Sequence, residues 1–440
     1  MRLVTSPTAR KLLTVLSVSL AAILMTPSTA VAADPPAPGS FTGYGFDACV
    51  APNQKVMDAW NLKSPFTAIG IYISGNSRYC GDAYQPNLSH EWVAKNAANG
   101  WRFIPIHVGY QAPCFKNNPD SRVQKKRMST TVSTARSQAV SDANETIAAL
   151  KKYGFATGSV SYLDIEWYAR TTACDNIVLE FADAWTERLH AAGYKSGLYS
   201  SGSAAIKAVD EARIANRAGF TLPDHMWIAW TNRIADTDGG PFLSDAGWSN
   251  HQRIHQYWNG VDATYGGYTV NIDWNYLDVG KGSVATTKIT PCGVNITYAS
   301  YPTLKLGSTG TAVSALQCLL TRRGFPATVS GTFTTNTLNA LLAFRKSRDW
   351  PRKTYTTRPT WTALLSYGYT PRVLKHGSIG ESVWRLQRAL TAAGLEPSRN
   401  GLYDAKTVAA VKTYRENNGL PRYSTTESTV WTLLQRGRTA

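Results

Sequence analysis

Val160-Ser161-Tyr162-Leu163-Asp164-Ile165-Glu166-Trp167 is a short β-rich apolar run whose end carries two carboxylates spaced i, i+2. A helical pattern within 132–152 precedes it, with Gly154 as C-terminal punctuation, and a second helical pattern over 176–192 follows it. A strand bounded by helices on both sides predicts a parallel sheet. Comparable runs stand at 44–48, 68–73, 103–108, 196–199, 226–230, 254–257 and 270–273. Further helical patterns cover 88–99 and 204–218, and Gly100 and Gly193 close two of the helices. Eight strands, the first five or six alternating with helices, predict an α/β fold built on an irregular TIM-like (β/α) barrel over 42–282. The last strands leave little room for helices between them, so the irregularity is expected in the final third.

At 440 residues the chain exceeds one ordinary core. Arg2, Arg10 and Lys11 precede an apolar run at 12–25, and Ala30-Val31-Ala32 follows with small side chains. That pattern predicts a signal peptide over 1–32, because the run is shorter than the ~20 residues that span a bilayer. No membrane span is expected in the mature chain. Residues 33–41, beginning ADPPAPGS, read as a Pro-rich linker. Six cysteines in an exported chain predict disulfides. Cys292 and Cys318 are expected to close one loop, while Cys49, Cys80, Cys114 and Cys174 allow three pairings. None lies in a metal-ligand pattern, so no metal and no cofactor are expected.

The C-terminal part repeats itself at a constant offset of 70 residues. Leu304-Lys305-Leu306-Gly307-Ser308-Thr309-Gly310 recurs as Leu374-Lys375-His376-Gly377-Ser378-Ile379-Gly380. Val313, Leu316, Gln317, Leu320, Gly324, Gly331, Thr337, Phe344 and Trp361 recur as Val383, Leu386, Gln387, Leu390, Gly394, Gly401, Thr407, Tyr414 and Trp431. Matches at one offset along the whole unit mark an internal duplication. The i, i+3, i+7 apolar spacing predicts small all-α three-helix modules over 292–368 and 371–438. The repeat resembles the peptidoglycan-binding-like module, in which a G-S-x-G turn precedes a helix beginning V-x-x-L-Q. Where that module usually carries Asp-Gly before its final helix, this sequence has Lys353-Thr354 and Tyr423-Ser424.

Charge follows the same division. Residues 33–299 carry 23 Lys/Arg against 23 Asp/Glu, whereas residues 300–440 carry 20 against 6. A basic surface of that kind attracts polyanions. In an exported protein these are expected to be peptidoglycan and acidic cell-wall polymers rather than nucleic acid.

Catalytic groups of a parallel barrel sit where strands end. Asp47 ends the first strand run, Asp164 and Glu166 end the fourth, and Asp273 ends the last. Residues i and i+2 of a strand share a face, so Asp164 and Glu166 project together and hinder each other's ionisation. Paired carboxylates of this kind suit glycoside hydrolysis, one protonating the leaving oxygen while another stabilises positive charge at the sugar carbon. The sequence holds no G-x-S-x-G elbow and no H-E-x-x-H. His251 and His255 read as structural or substrate-facing. Tyr72, Tyr110, Trp167, Tyr199, Trp230 and Tyr257 are candidates to stack on sugar rings, about half of them being expected to line a groove rather than the core. Gln111 and Gln256 are candidates to bond hydroxyl or N-acetyl groups.

Gly45-Phe46-Asp47-Ala48-Cys49-Val50-Ala51-Pro52, Gly70-Ile71-Tyr72-Ile73, the segment Pro105-Ile106-His107-Val108-Gly109-Tyr110-Gln111-Ala112-Pro113-Cys114, Gly197-Leu198-Tyr199-Ser200-Ser201 and Arg253-Ile254-His255-Gln256-Tyr257 together resemble a glycoside-hydrolase-like domain family of secreted bacterial proteins. The resemblance covers about 42–278. That family is similar to the family 25 lysozymes, muramidases with an aspartate after strand one, D-x-E after strand four and an aspartate after strand eight. The likeness implies Glu166 as general acid, Asp164 as an orienting or stabilising group, and Asp47 and Asp273 as the floor. It also implies a secreted, wall-associated protein that cleaves β-1,4 bonds of peptidoglycan glycan strands. The alternative is a binding protein that keeps the pocket and holds glycan without cutting it. Chitinase-like barrels also use D-x-E, but usually with a further Asp where Tyr162 stands here.

Overall fold

The computed structural model describes residues 36–440 apart from 120 and 122. The leader read at 1–32 lies outside the described residues. Of the stretch read as a linker, the described part packs onto the barrel. The Ala37 N–H donates to Ser159 Oγ at 2.9 Å, and the Val160 N–H donates to the Ala37 carbonyl at 2.8 Å.

Eight strands close into a barrel in chain order. They are β1 (Phe41–Asp47), β2 (Ala68–Ser74), β3 (Arg102–His107), β4 (Val160–Ile165), β5 (Lys195–Ser201), β6 (His225–Ala229), β7 (Gln252–Tyr265) and β8 (Tyr268–Val279). Helices α1 (Gln54–Lys63), α2 (His90–Ala98), α3 (Val132–Lys152), α4 (Thr172–Ala191) and α5 (Lys207–Ile214) lie between the first six strands. β4 is buried on both faces, as a strand walled by helices must be. Inside the barrel Tyr162 meets Trp227 edge-on at 5.5 Å, and its hydroxyl lies 2.9 Å from His225 Nδ1. Ile104, Ile106, Ile254 and Leu277 fill the same interior.

The last third departs from a parallel barrel. β6, β7 and β8 follow one another without an intervening α-helix, and β8 runs antiparallel to both β7 and β1. Between β7 and β8 the reason is chain length: they are joined at Gly266 and Gly267, both at positive φ, in a hairpin that leaves no room for a crossover helix. Residues 230–251, between β6 and β7, form turns and bends in place of a helix. The outer wall at this seam therefore lacks a barrel helix.

The duplicated part forms α6 (Thr311–Arg322), α7 (Thr335–Lys346) and α8 (Arg358–Ser366), then α9 (Glu381–Ala392), α10 (Ala405–Asn417) and α11 (Ser428–Gln435). The recurring Gln, Gly and Thr have one structural explanation. Gln387 donates to the Leu402 carbonyl at 2.8 Å and to Thr407 Oγ1 at 3.0 Å, and accepts from the Gly401 N–H at 2.9 Å. Gln317 makes the same bonds to Thr332, Thr337 and Gly331. A buried amide with every group partnered fixes the turn onto the helix.

The two copies differ in what the Leu-Lys segment meets. Lys305 and Leu306 face solvent, whereas Lys375 is buried against the barrel. Its Nζ donates to Asn61 Oδ1 and to the Asn61 carbonyl, each at 3.0 Å, and to the Phe66 carbonyl. Ser283 Oγ donates to the Gly377 carbonyl at 2.8 Å, and Thr425 Oγ1 to the Leu62 carbonyl at 2.7 Å. The second copy thus joins α1 and the end of β8.

Cys49–Cys80 and Cys292–Cys318 are disulfides. Cys114 and Cys174, also expected to take part in bridges, are neighbouring thiols instead. The Cys114 N–H donates to Cys174 Sγ at 3.1 Å, and burial pushes the Cys174 thiol up to about 12, away from its reactive thiolate. Among the described residues no helix is long and apolar enough to cross a membrane.

Candidate active site

The carboxylates from three strand ends meet in one cavity of about 200 Å³, lined by Asp47, Tyr72, Lys125, Asp164, Glu166 and Asp273 among others. The register explains the convergence. Asp47 lies opposite Gly70 on β2 and opposite Asp273 on β8. A Cβ on Gly70 would fall 2.5 Å from the Asp47 Cβ, so glycine is required for the aspartate to point inward.

Asp47 is almost fully buried and accepts from Asn275 Nδ2 at 2.6 Å, Tyr72 Oη at 3.2 Å and Gln256 Nε2 at 3.4 Å. Burial and then the neighbouring Asp273 nevertheless raise its pKa to about 7. Asp273 accepts from the Gly260 N–H at 2.6 Å and from Gln256 at 3.4 Å. Its pKa is also raised, first by burial and then by the charge of Glu166. Asp164 is held well above the usual carboxylate range by burial, then by Glu166, with Lys125 opposing. Its Oδ1 is buried without a hydrogen-bond partner. Glu166 is the accessible member, its side chain 40% exposed, and Lys125 Nζ reaches its Oε1 at 2.5 Å. Lys125 comes from the long segment between β3 and α3, where no periodic pattern marked it.

The candidate sugar-facing residues divide. Tyr72 lines the cavity. Tyr199 stands behind it, donating to Gln256 Oε1 at 2.9 Å and packing edge-on to Trp227. Gln111 and Gln256 are buried and face protein groups, not the cavity surface. Gln111 donates to the Asp164 carbonyl at 2.9 Å and accepts from the Glu166 N–H at 2.7 Å, which clamps the end of β4. Tyr110 packs towards Phe181, and Trp230 stacks on His255 at 5.8 Å. Neither Tyr110 nor Trp230 lines the cavity, because each lies just past its strand and turns to the outer layer. Tyr257 also sits on the outer wall. Trp167 is exposed beside Glu166, and Tyr79, absent from the sequence candidates, lines the cavity at its rim. His251 and His255 pair with Asp278 and Asp236 and are structural. Among the described residues no group of three His, Cys, Asp or Glu side chains is arranged to hold a metal ion.

The Rv2525c-like, glycoside hydrolase-like domain matches residues 58–277. The chain belongs to this family. The match includes Asp164, Glu166 and Asp273, while Asp47 lies ahead of it. A peptidoglycan binding domain matches residues 379–422, within the second copy of the repeat. The chain therefore carries a glycoside hydrolase-like domain and a peptidoglycan-binding domain. No curated protein matches it. Among solved structures, an uncharacterized protein of B. stearothermophilus is 15% identical, with 53% of this chain and 95% of that chain covered, at a TM-score of 0.36. The Mycobacterium tuberculosis Tat-secreted protein Rv2525c in complex with L-tartrate is 13% identical, with 54% and 95% covered, at a TM-score of 0.37. A family 25 glycosyl hydrolase from Bacillus anthracis is 17% identical, with 55% and 91% covered, at a TM-score of 0.32.

Proposed function

We propose that the protein is a secreted cell-wall glycoside hydrolase that cleaves β-1,4 bonds in peptidoglycan glycan strands, with Glu166 as general acid. The observation that carries this reading is the convergence of four carboxylates on one cavity, where burial and the neighbouring Glu166 raise the pKa of Asp164, and burial and Asp273 raise that of Asp47. Glu166, the most exposed of them, reaches the leaving oxygen. Asp164 lies beneath it, and Asp47 and Asp273 face the sugar carbon on which positive charge develops. Lys125 must leave Glu166 for a productive complex. The leader pattern at 1–32 and the two disulfides support export. The peptidoglycan-binding segment supports delivery to the wall.

One observation favours the alternative, a barrel that holds glycan without cutting it: the Lys125–Glu166 contact occupies the proposed acid. Release of reducing ends from purified peptidoglycan separates the two. The intact chain is expected to release new muramic acid ends, and Glu166→Gln to lose at least about a hundredfold in rate while still sedimenting with the wall. Sedimentation without release by the intact chain would instead support the binding reading.

A further inference from the structure

A second cavity, about 600 Å³, lies outside the barrel between its helix-free seam and the second repeat. Its floor is aromatic. Successive residues of a strand face opposite sides, so Asp273 enters the carboxylate cavity while Trp274 turns outward. Trp274 stacks against Trp258 at 5.8 Å and 26°, after an irregularity in the β7 register that also carries Trp258 outward. Tyr44 and Tyr265 extend this surface. Across the cleft stand Ala405, Val408 and Lys412 of α10 and the turn at Arg422 and Tyr423. Tyr423 belongs to the Tyr423-Ser424 pair at which the repeat departs from the usual Asp-Gly, and Lys63 lies 5.3 Å from its ring centre.

The charge on this cleft has one sign. Lys63, Arg233, Lys412 and Arg422 line it, and no Asp or Glu does. Lys63 lies 3.7 Å from Glu427 and Arg422 lies 3.3 Å from Glu416, but Arg233 and Lys412 have no carboxylate within ion-pair distance among the described residues. Arg233 is held at φ +63°, a left-handed conformation that non-glycine residues rarely adopt, with its guanidinium 5.4 Å from the Trp258 ring centre. Flat indole faces suit the C–H faces of pyranose rings, and unpaired cations beside them suit carboxylates carried on those rings.

We infer that this composite cleft is a second, non-catalytic binding site for an acidic glycan whose pyranose rings carry carboxylates. Both walls come from segments matched by glycan-associated domains, Trp258 and Trp274 within 58–277 and Lys412 and Arg422 within 379–422. The choice of polymer rests on the wall-glycan reading above; the cleft itself does not. Neither domain alone supplies the site.

The test is calorimetric titration of the full chain with soluble peptidoglycan glycan strands from which the stem peptides have been removed, so that the ring-borne carboxylates are free, using neutral chitotetraose, poly(glycerol phosphate) and oligothymidylate as comparisons. The Glu166→Gln background prevents cleavage. Arg233→Gln with Lys412→Gln is expected to weaken the acidic glycan about tenfold and leave chitotetraose unchanged, whereas Trp258→Ala weakens both sugars. The charge pair is at or near the surface, so it tests the cleft even if Trp258→Ala destabilises the fold. Unchanged glycan affinity in the charge pair, no binding by the parent chain, or tighter binding of poly(glycerol phosphate) or oligothymidylate would overturn the inference. Reducing-end release is measured separately, in chains that keep Glu166. Its failure with cleft affinity intact counts against the catalytic reading alone.

Discussion

The repeats and the barrel both bury polar side chains, but they treat them differently. In each repeat the buried glutamine has every group partnered, and the same bonds occur twice at a 70-residue offset. In the barrel cavity Asp164 Oδ1 has no partner, and Asp47 retains a raised pKa despite three donors. Satisfied burial stabilises a turn, whereas carboxylates forced together oppose folding and leave protons available for chemistry. The polar core of the repeats is structural, and that of the barrel forms the proposed site.

The sharpest way to break this contrast is in the repeat. Gln387→Ala strands the Gly401 N–H and the Leu402 carbonyl and leaves a small void. It is expected to lower unfolding free energy by about 4 kcal/mol, read as a fall in the denaturant midpoint. A loss near zero would mean that the Gln–Gly–Thr network is incidental. Gly70→Ala acts on the barrel, placing a methyl group against the Asp47 Cβ. Overpacking there is expected to destabilise by about 2 kcal/mol and to reduce turnover further than that loss explains, since it displaces Asp47. The smallest effect is expected from Lys125→Met. That change removes the cation that favours ionisation of Asp164, so the titration of Asp164, followed through its carboxyl carbon by NMR, should move upward by less than about one unit. An unshifted titration would mean that Lys125 does not act on the buried carboxylate.

Much of this was legible in the sequence, and the failures share a cause. The strand run at 160–165 coincides with β4, and the four carboxylates read at strand ends do meet. Periodicity reports which face a residue takes but not how deep it lies. Gln111 and Gln256 were therefore read as sugar ligands, although they brace the carboxylates from behind. Asn275 shares the face of Asp273 at i+2, so strand alternation could have identified it. Lys125 could not be found that way, because its segment has no period. The α1 helix also escaped, although its amphipathic patterning is comparable to that of α3 and α4. The antiparallel β8 was visible only as a shortage of room for helices.

The cavity gives up stability to hold its carboxylates together. Asp47 has a folded pKa of about 7 against 3.8 when unfolded, so the folded state binds the extra proton between those values. Its burial therefore weakens the protein progressively from about pH 4 to pH 7 and by a constant amount above. Asparagine keeps the shape and the bond from Asn275 but does not titrate. The decisive measurement is the melting temperature of Asp47→Asn and of the parent chain across pH 4 to 8, with reducing-end release from peptidoglycan in the same preparations. A variant that melts higher, by a margin that grows up to about pH 7 and then levels, and that releases few or no ends is expected. A variant that melts lower, or that releases as many ends as the parent, would contradict the claim.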